Sequence, residues 1–242
     1  MQEIYEDIEM AKAAYGQIEQ IFLCDGDALS RDTKDLLKII HKIKAAFPNI
    51  RDIASYASAK GILRKSREEL VLLKEAGLTK AYLGVESGDD AVLKETNKGV
   101  NAMETAEAGK AVEAAGIELF AIILIGLAGK DRSRENALAT AKIINEIQPH
   151  HLAAMTYMPV PGTKLHRDIE AGKFEVLSDS ECLRETKWLV EALDDRPMHF
   201  TSSHVSNYVS VDGDIAADKD KIIAALEDGI GKVSRVNSKR GL

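Results

Sequence analysis

The chain is poor in cysteine. Only Cys24 and Cys182 occur among its 242 residues. Two thiols cannot form a disulfide framework, so the cysteine count predicts a protein of the reducing cytoplasm. Two thiols are also fewer than the three or four that an iron–sulfur cluster normally takes from its protein.

Long apolar runs and an excess of basic charge are absent as well. The longest apolar stretch, residues 119–125, has seven residues, whereas a bilayer span needs about 20. The first residues are acidic, where a signal peptide would have a basic end and an apolar run. With 39 acidic and 32 basic residues, the net charge of −7 argues against general binding to nucleic-acid backbones. We therefore expect a soluble protein with neither membrane nor general nucleic-acid partners.

Apolar residues are plentiful, at 45% of the chain, and they fall into five short runs that alternate with helical stretches. The runs predict strands at residues 20–24, 52–57, 81–85, 119–125 and 152–158. Their continuous apolarity is typical of strands buried on both faces of a parallel sheet. Helix starts are indicated by pairs with capping-box spacing: Ser66 with Glu69, Asn101 with Glu104, and Ser178 with Glu181.

The alternation of helix, glycine, strand and polar loop predicts βαβ units. We expect an α/β fold, a partial TIM-like (β/α)6 barrel over residues 1–165. Residues 166–242 would add the last barrel helix and a C-terminal helical extension within the same globular unit. A doubly wound open sheet is the alternative. The chain opens with a helix, since Ile4, Ile8, Ala11 and Tyr15 share one helical face.

Candidate site residues follow the predicted strands, because ligands of parallel α/β folds bind at the carboxyl ends of the strands. Asp25 and Asp27 could bind a divalent metal, or could simply satisfy their own loop. Glu86 could accept hydrogen bonds from a sugar diol, or could be an acid favoured at a helix N-terminus. A metal-dependent lyase or hydrolase that uses these three carboxylates is therefore one possible function.

The segment YLGVESGDDAVLKETNKG (82–99) is more specific. It resembles the fourth-strand segment of radical S-adenosylmethionine (SAM) enzymes, in the branch that includes methylthiotransferases and oxygen-independent coproporphyrinogen oxidases. Residues 22–29, 55–63 and 121–149 also resemble strand-end segments of that family. The resemblance covers about residues 2–195.

The resemblance implies two cofactors, SAM and a 4Fe–4S cluster, and a 5′-deoxyadenosyl radical that abstracts hydrogen from a small-molecule or other, unknown substrate. It implies contacts to SAM along the strand ends. The loop of Asp25, Gly26 and Asp27 would contact the methionyl amino group, with Asp-Gly-Asp replacing Gly-Gly-Glu. Ser55 would face the ligand, and Glu86 with its neighbour Ser87 would lie near the ribose or the methionine end. The remaining implied contacts are to adenine: Ile125, Gly126 and Leu127 would pack on the ring, and Met158 and Pro159 would meet its edge.

One departure from the family pattern is large. The family's CxxxCxxC cluster loop is absent, and the chain starts at the helix that would follow that loop. We interpret the chain as a fragment that lacks the first strand and the cluster loop, with neither a cluster nor SAM-cleaving activity. A non-catalytic nucleotide-binding module is the alternative. The missing strand would leave strand 20–24 at an unpaired edge, through which the chain could form a homo-oligomer.

Overall fold

The computed structural model describes the backbone of residues 1–24 and 26–240, and the side chains of residues 1–24 and 26–233. Its strands are β1 Gln20–Leu23, β2 Asp52–Ala57, β3 Leu78–Glu86, β4 Glu118–Ile125, β5 His151–Thr156, β6 His199–Thr201 and β7 Asp212–Asp214. Its helices are α1 Gln2–Tyr15, α2 Thr33–Ala46, α3 Ala59–Leu63, α4 Arg67–Ala76, α5 Asp90–Glu95, α6 Ala102–Ala114, α7 Ser133–Ile147, α8 Lys164–Glu170, α9 Asp179–Ala192 and α10 Ile215–Arg240. A 3-10 turn covers Ala28–Ser30.

The seven strands form one sheet, in the order in which they occur along the chain. β1 pairs with β2, β2 with β3, and β5 with β6, all in parallel; β7 is antiparallel to β6. The predicted α/β class and all five predicted strands are confirmed. A doubly wound sheet would reverse its strand order at a switch point, so the sequential order excludes that alternative. β1 lies at an edge of the sheet, as expected.

The prediction of strands buried on both faces is wrong. Along β3 and β4 buried and half-buried residues alternate, so one face of each strand is more exposed than the other. In β3, for example, Ala81, Leu83 and Val85 are buried, while Tyr82 between them is half-buried. The half-buried face carries a row of aromatic rings across four neighbouring strands, with centroids 4.4–4.9 Å apart: Phe22 with Tyr56, Phe22 with Tyr82, and Tyr82 with Phe120.

The strands β6 and β7 lie within residues 166–242, where the sequence predicts helices and no strand. Each strand has only three residues, too few to produce a readable alternation. Between them, Asn207 donates hydrogen bonds to the Ala154 carbonyl (2.7 Å) and the Ser202 carbonyl (2.8 Å). Side chains of this loop therefore continue the pairing along β5 after β6 ends.

The chain divides into two compact units. The first unit comprises residues 1–84 and 107–120, and the second comprises residues 85–106 and 121–242. In the first unit, α2 buries Leu36, Ile40 and Ile43, and α1 packs on α2. The predicted apolar face of α1 is only partly confirmed, since Ile8 is buried but Tyr15 is exposed. In the second unit, α9 packs against both α7 and α10.

The predicted capping boxes are present. The Ser66 N–H donates to Glu69 at 2.8 Å and the Glu69 N–H donates to the Ser66 hydroxyl at 3.2 Å. Asn101 and Glu104 exchange the same two bonds, each at 2.8 Å, and the box at the start of α9 is formed too. Within the described part of the chain, we find no helix whose length and apolarity would let it cross a bilayer.

Candidate functional site

Asp27 joins two strand-end loops in the first unit. One oxygen of its carboxylate accepts the Ser58 N–H at 3.1 Å, and the other accepts the Ser58 hydroxyl. Gly61 lies against this carboxylate, since a Cβ at Gly61 would be 2.8 Å from Asp27 Oδ2. The carboxylate therefore fastens the loop after β1 to the loop after β2. The neighbouring Gly26 is exposed and has a φ of 105°, and Asp25 lies outside the described residues.

Ser55 lies on the helix-covered face of β2. It is 1% exposed, lies among Leu23, Leu36 and Leu73, and its hydroxyl donates to the Tyr56 carbonyl at 2.8 Å. The next residue, Tyr56, is exposed on the opposite face. The alternation of the strand thus places Tyr56, rather than Ser55, on the half-buried face.

Glu86 ends β3 in the second unit with an unusual backbone. Its φ is 62°, a left-handed value that costs a non-glycine residue about 1–3 kcal/mol and that is found preferentially at functional sites. Its carboxylate pairs with Lys98 Nζ at 2.8 Å, and each of the two side chains is 24% exposed. Glu86 is therefore a partly exposed acid whose side chain is held by an ion pair.

The residues that follow Glu86 are fastened to α7. The buried Ser87 hydroxyl donates to Asn136 Oδ1 at 2.5 Å and accepts the Asp89 N–H at 2.9 Å. The Gly88 N–H donates to the Thr140 hydroxyl at 2.9 Å. These hydrogen bonds hold the buried Ser87 against α7, so its hydroxyl stabilises the loop that follows Glu86.

Hydrogen bonds hold both polar groups of the peptide at the end of β4. The Ile125 carbonyl accepts the Tyr157 N–H at 2.8 Å, and the Gly126 N–H donates to Glu185 Oε1 at 3.0 Å. Gly126 has a φ of 83°, which glycine adopts without steric cost. Ile125 and Leu127 on either side of it are buried.

A pocket of about 350 Å³ lies at this end of the second unit. That volume is within the range of small-molecule sites, which are mostly apolar with a few polar groups. Met158 and Pro159 are exposed in the irregular segment beside it. The pocket is lined by Leu124, Leu127, Tyr157, Val160 and Leu165, and by the polar residues Glu95, Thr96, Asn97, Thr163 and Lys164.

Glu185 of α9 was not among the predicted site residues, although it lies beneath two site loops. It is fully buried, and besides the Gly126 N–H it accepts hydrogen bonds from Asn136 Nδ2 (3.1 Å) and from the Ser133 hydroxyl. Burial raises the pKa of Glu185, although these three hydrogen bonds oppose the shift. A signal existed in the sequence, because Glu185 occupies the same helical face as the buried Cys182 and Leu189.

The donor groups of this chain do not fit a 4Fe–4S cluster. Cys24 is exposed just after β1, whereas Cys182 is buried in α9, where burial raises the pKa of its thiol to about 12. Among the residues that the structure describes, no group of three or more His, Cys, Asp or Glu residues is placed to hold a metal ion. Asp27 and Glu86 are instead held by Ser58 and Lys98.

Comparison with known proteins relates the chain to one group of enzymes. The sequence model of the radical SAM superfamily matches residues 1–141. A protein of Pyrococcus horikoshii named as an uncharacterized methyltransferase is 24% identical over 209 residues, which is 85% of this chain and 42% of that protein. The chain therefore spans about two fifths of the length of this curated relative.

Two solved structures share the fold. Elp3 of the archaeon Methanocaldococcus infernus, with residues 1–46 deleted, is 15% identical with a TM-score of 0.62, and the match covers 100% of this chain and 59% of that one. Coproporphyrinogen III oxidase of Escherichia coli, a radical SAM enzyme, is 14% identical with a TM-score of 0.62, covering 78% and 44%.

Proposed function

Because the chain belongs to the radical SAM superfamily, a family of enzymes, we propose that it is the SAM-binding core of such an enzyme and that the pocket beside Leu127 holds the adenosyl group. The observation that carries this proposal is the pocket itself, which lies at the end of β4 and after β5. Leu127 belongs to the segment whose family counterpart packs on adenine. Met158 and Pro159 lie along the chain between two lining residues, Tyr157 and Val160.

The pocket supplies both an apolar wall and a nearby charge. Leu124, Leu127 and Tyr157 offer apolar and aromatic surface for a planar base. Asn97 also lines the pocket, and its neighbour Lys98 holds the Glu86 carboxylate. Under this proposal, Glu86 accepts hydrogen bonds from the ribose hydroxyls or the ammonium group of SAM.

In this superfamily, SAM supplies the adenosyl group of a hydrogen-abstracting radical. Its reductive cleavage needs an electron from a 4Fe–4S cluster, and the two cysteines of this chain do not fit one. We therefore assign SAM binding to this chain and assign it no cleavage step.

Titration with S-adenosylhomocysteine by calorimetry tests the proposed binding. We expect a dissociation constant between about 10 μM and 1 mM, or about −7 to −4 kcal/mol, because no cluster anchors the methionyl end. Val160 is 58% exposed, so V160W should fill the pocket without unfolding the chain and should abolish binding. V205W is the matched control, since Val205 is 90% exposed and does not line the pocket. No binding to the unmodified chain, or equal binding by both variants, would refute the proposal.

A non-catalytic nucleotide-binding module is the second candidate. The buried position of Cys182, one of only two cysteines, favours it. Such a module would bind S-adenosylhomocysteine without a cluster to anchor it. A dissociation constant below about 1 μM in the same titration would therefore favour the module over an enzyme core.

A further inference from the structure

Glu185 connects the two loops that carry the proposed SAM contacts. Oε1 of its carboxylate accepts the Gly126 N–H of the β4–α7 loop at 3.0 Å and the side chain of Asn136 at 3.1 Å. Asn136 in turn accepts the hydroxyl of Ser87, the residue after Glu86, at 2.5 Å. One carboxyl group therefore reaches both loops, directly or through a single amide.

The bond to Gly126 fixes the orientation of a peptide group. The C=O and the N–H of a trans peptide point in opposite directions. Here the Ile125 carbonyl accepts the Tyr157 N–H at 2.8 Å, and the Gly126 N–H on the other side donates to Glu185. With both ends fastened, the peptide cannot rotate, and it determines the direction in which Leu127 leaves the strand.

A buried carboxyl without a cationic partner is costly unless its hydrogen bonds are satisfied. Glu185 is fully buried, and the groups that bond it are the Gly126 amide, the Asn136 amide and the Ser133 hydroxyl, all neutral. A leucine in its place would suit an apolar helix face better, but it would leave these three donors unsatisfied. The three hydrogen bonds that its carboxyl group accepts therefore explain the presence of Glu185 at this position, and its charge does not.

We propose that Glu185 is a positioning residue that sets the ligand-facing ends of the β3–α5 and β4–α7 loops, a role that rests on the SAM site proposed above. It acts through Gly126 and Asn136 and does not itself contact the ligand. The atom that matters is an oxygen acceptor at the distance of Oε1 from the α9 backbone.

Two substitutions separate this role from a role of the charge. E185Q keeps the length and a carbonyl oxygen for Gly126 and Asn136, and its new NH2 group can donate to the Ser133 hydroxyl. E185D keeps the charge but withdraws the carboxyl by one methylene. E191Q, at an exposed position of the same helix, is the matched control.

Calorimetric titration with S-adenosylhomocysteine, together with the melting temperature, distinguishes these possibilities. We expect E185Q and E191Q to bind within about threefold of the unmodified chain, and E185D to bind at least tenfold more weakly while it still unfolds cooperatively. Unchanged binding by E185D would overturn the proposal. So would weak binding by E185Q with normal binding by E185D, because the charge would then be the essential feature.

Backbone NMR separates this proposal from the SAM site itself. If the unmodified chain binds no S-adenosylhomocysteine, the proposed function fails, but the positioning role is still tested by amide spectra without ligand. We expect the Leu127 amide resonance to move in E185D and to stay in place in E185Q. An unmoved Leu127 resonance in E185D would show that Glu185 does not position this loop.

Discussion

At the scale of single residues, the two cysteines have opposite environments. Cys24 is exposed, and Cys182 is buried with its thiol pKa raised to about 12 by burial and by nearby acids, Glu185 first among them. Only the thiolate reacts with disulfide reagents. We therefore predict that Ellman's reagent modifies one thiol of the native chain quickly and the other only after unfolding.

The variant C24S is the control for this prediction. It should show no fast reaction, and the remaining thiol should appear on addition of denaturant. Two fast thiols in the native chain would contradict the buried position of Cys182.

Residue partners were the least predictable feature of the site. Asp27 and Glu86 could be recognised from the sequence as acids at strand ends, and a metal site was one possible interpretation. The partner of Asp27 is 31 residues away along the chain and that of Glu86 is 12 residues away. No local pattern links positions so far apart, so the structure was needed to show that both carboxylates are already held.

At the scale of elements, Gly88 controls how closely the β3–α5 loop approaches α7. A Cβ at Gly88 would lie 2.2 Å from the Ala139 carbonyl oxygen, which belongs to the helix backbone and cannot move aside. We predict that G88A lowers the free energy of unfolding by about 2–3 kcal/mol or more. For a chain of this size that corresponds to a melting temperature lower by roughly 6 °C.

G231A is the matched control for this substitution. Gly231 lies in α10, and a Cβ there would meet nothing within 4 Å. Alanine is the better helix former, so G231A should raise stability by about 0.5–1 kcal/mol. Equal melting temperatures for G88A and the unmodified chain would contradict the close packing on α7.

Asp52 joins the first three strands at their amino ends. Its carboxylate accepts hydrogen bonds from Lys80 (3.0 Å), Thr79 (3.1 Å) and Gln20 (3.1 Å). The bond from Lys80 is the main cause of a lowered pKa for Asp52, and burial opposes it. A lowered carboxyl pKa stabilises the fold above the unfolded value, about 3.9, and this contribution disappears as the pH falls through the folded value.

We therefore predict that D52N is less stable than the unmodified chain by about 1–2 kcal/mol at pH 7, and that the difference shrinks below about pH 4. Urea unfolding at pH 7, 5 and 3.5 measures it. D220N, at an exposed position of α10, should show no such difference at any pH. A difference for D52N that does not change with pH would contradict the role of the charged carboxylate.

Elements were predicted well where their pattern is long. The five apolar runs and the three capping boxes each extend over enough residues to be read locally. The strands β6 and β7, of three residues each, were not predicted. The apolar sequences of β3 and β4 also predict more burial than the structure has, because apolar residues alone do not show whether both faces of a strand are covered.

At the scale of the whole molecule, membership of the superfamily predicts a 4Fe–4S cluster, whereas the cysteine count argues against one. The chain belongs to a family whose chemistry uses a 4Fe–4S cluster, yet it carries only two cysteines, of which one is buried. We predict that anaerobic reconstitution with iron and sulfide yields no 4Fe–4S absorption at one cluster per chain. A stoichiometric cluster would show that our assignment of SAM binding without cleavage is wrong.

The most direct test of the SAM site is a crystal structure of the chain with S-adenosylhomocysteine. We predict that the adenosyl group lies in the pocket against Leu127 and Tyr157, with Glu86 within hydrogen-bond distance of the ribose or the amino group. Density for the ligand at any other place, such as the aromatic row of Tyr56 and Tyr82, would contradict the account.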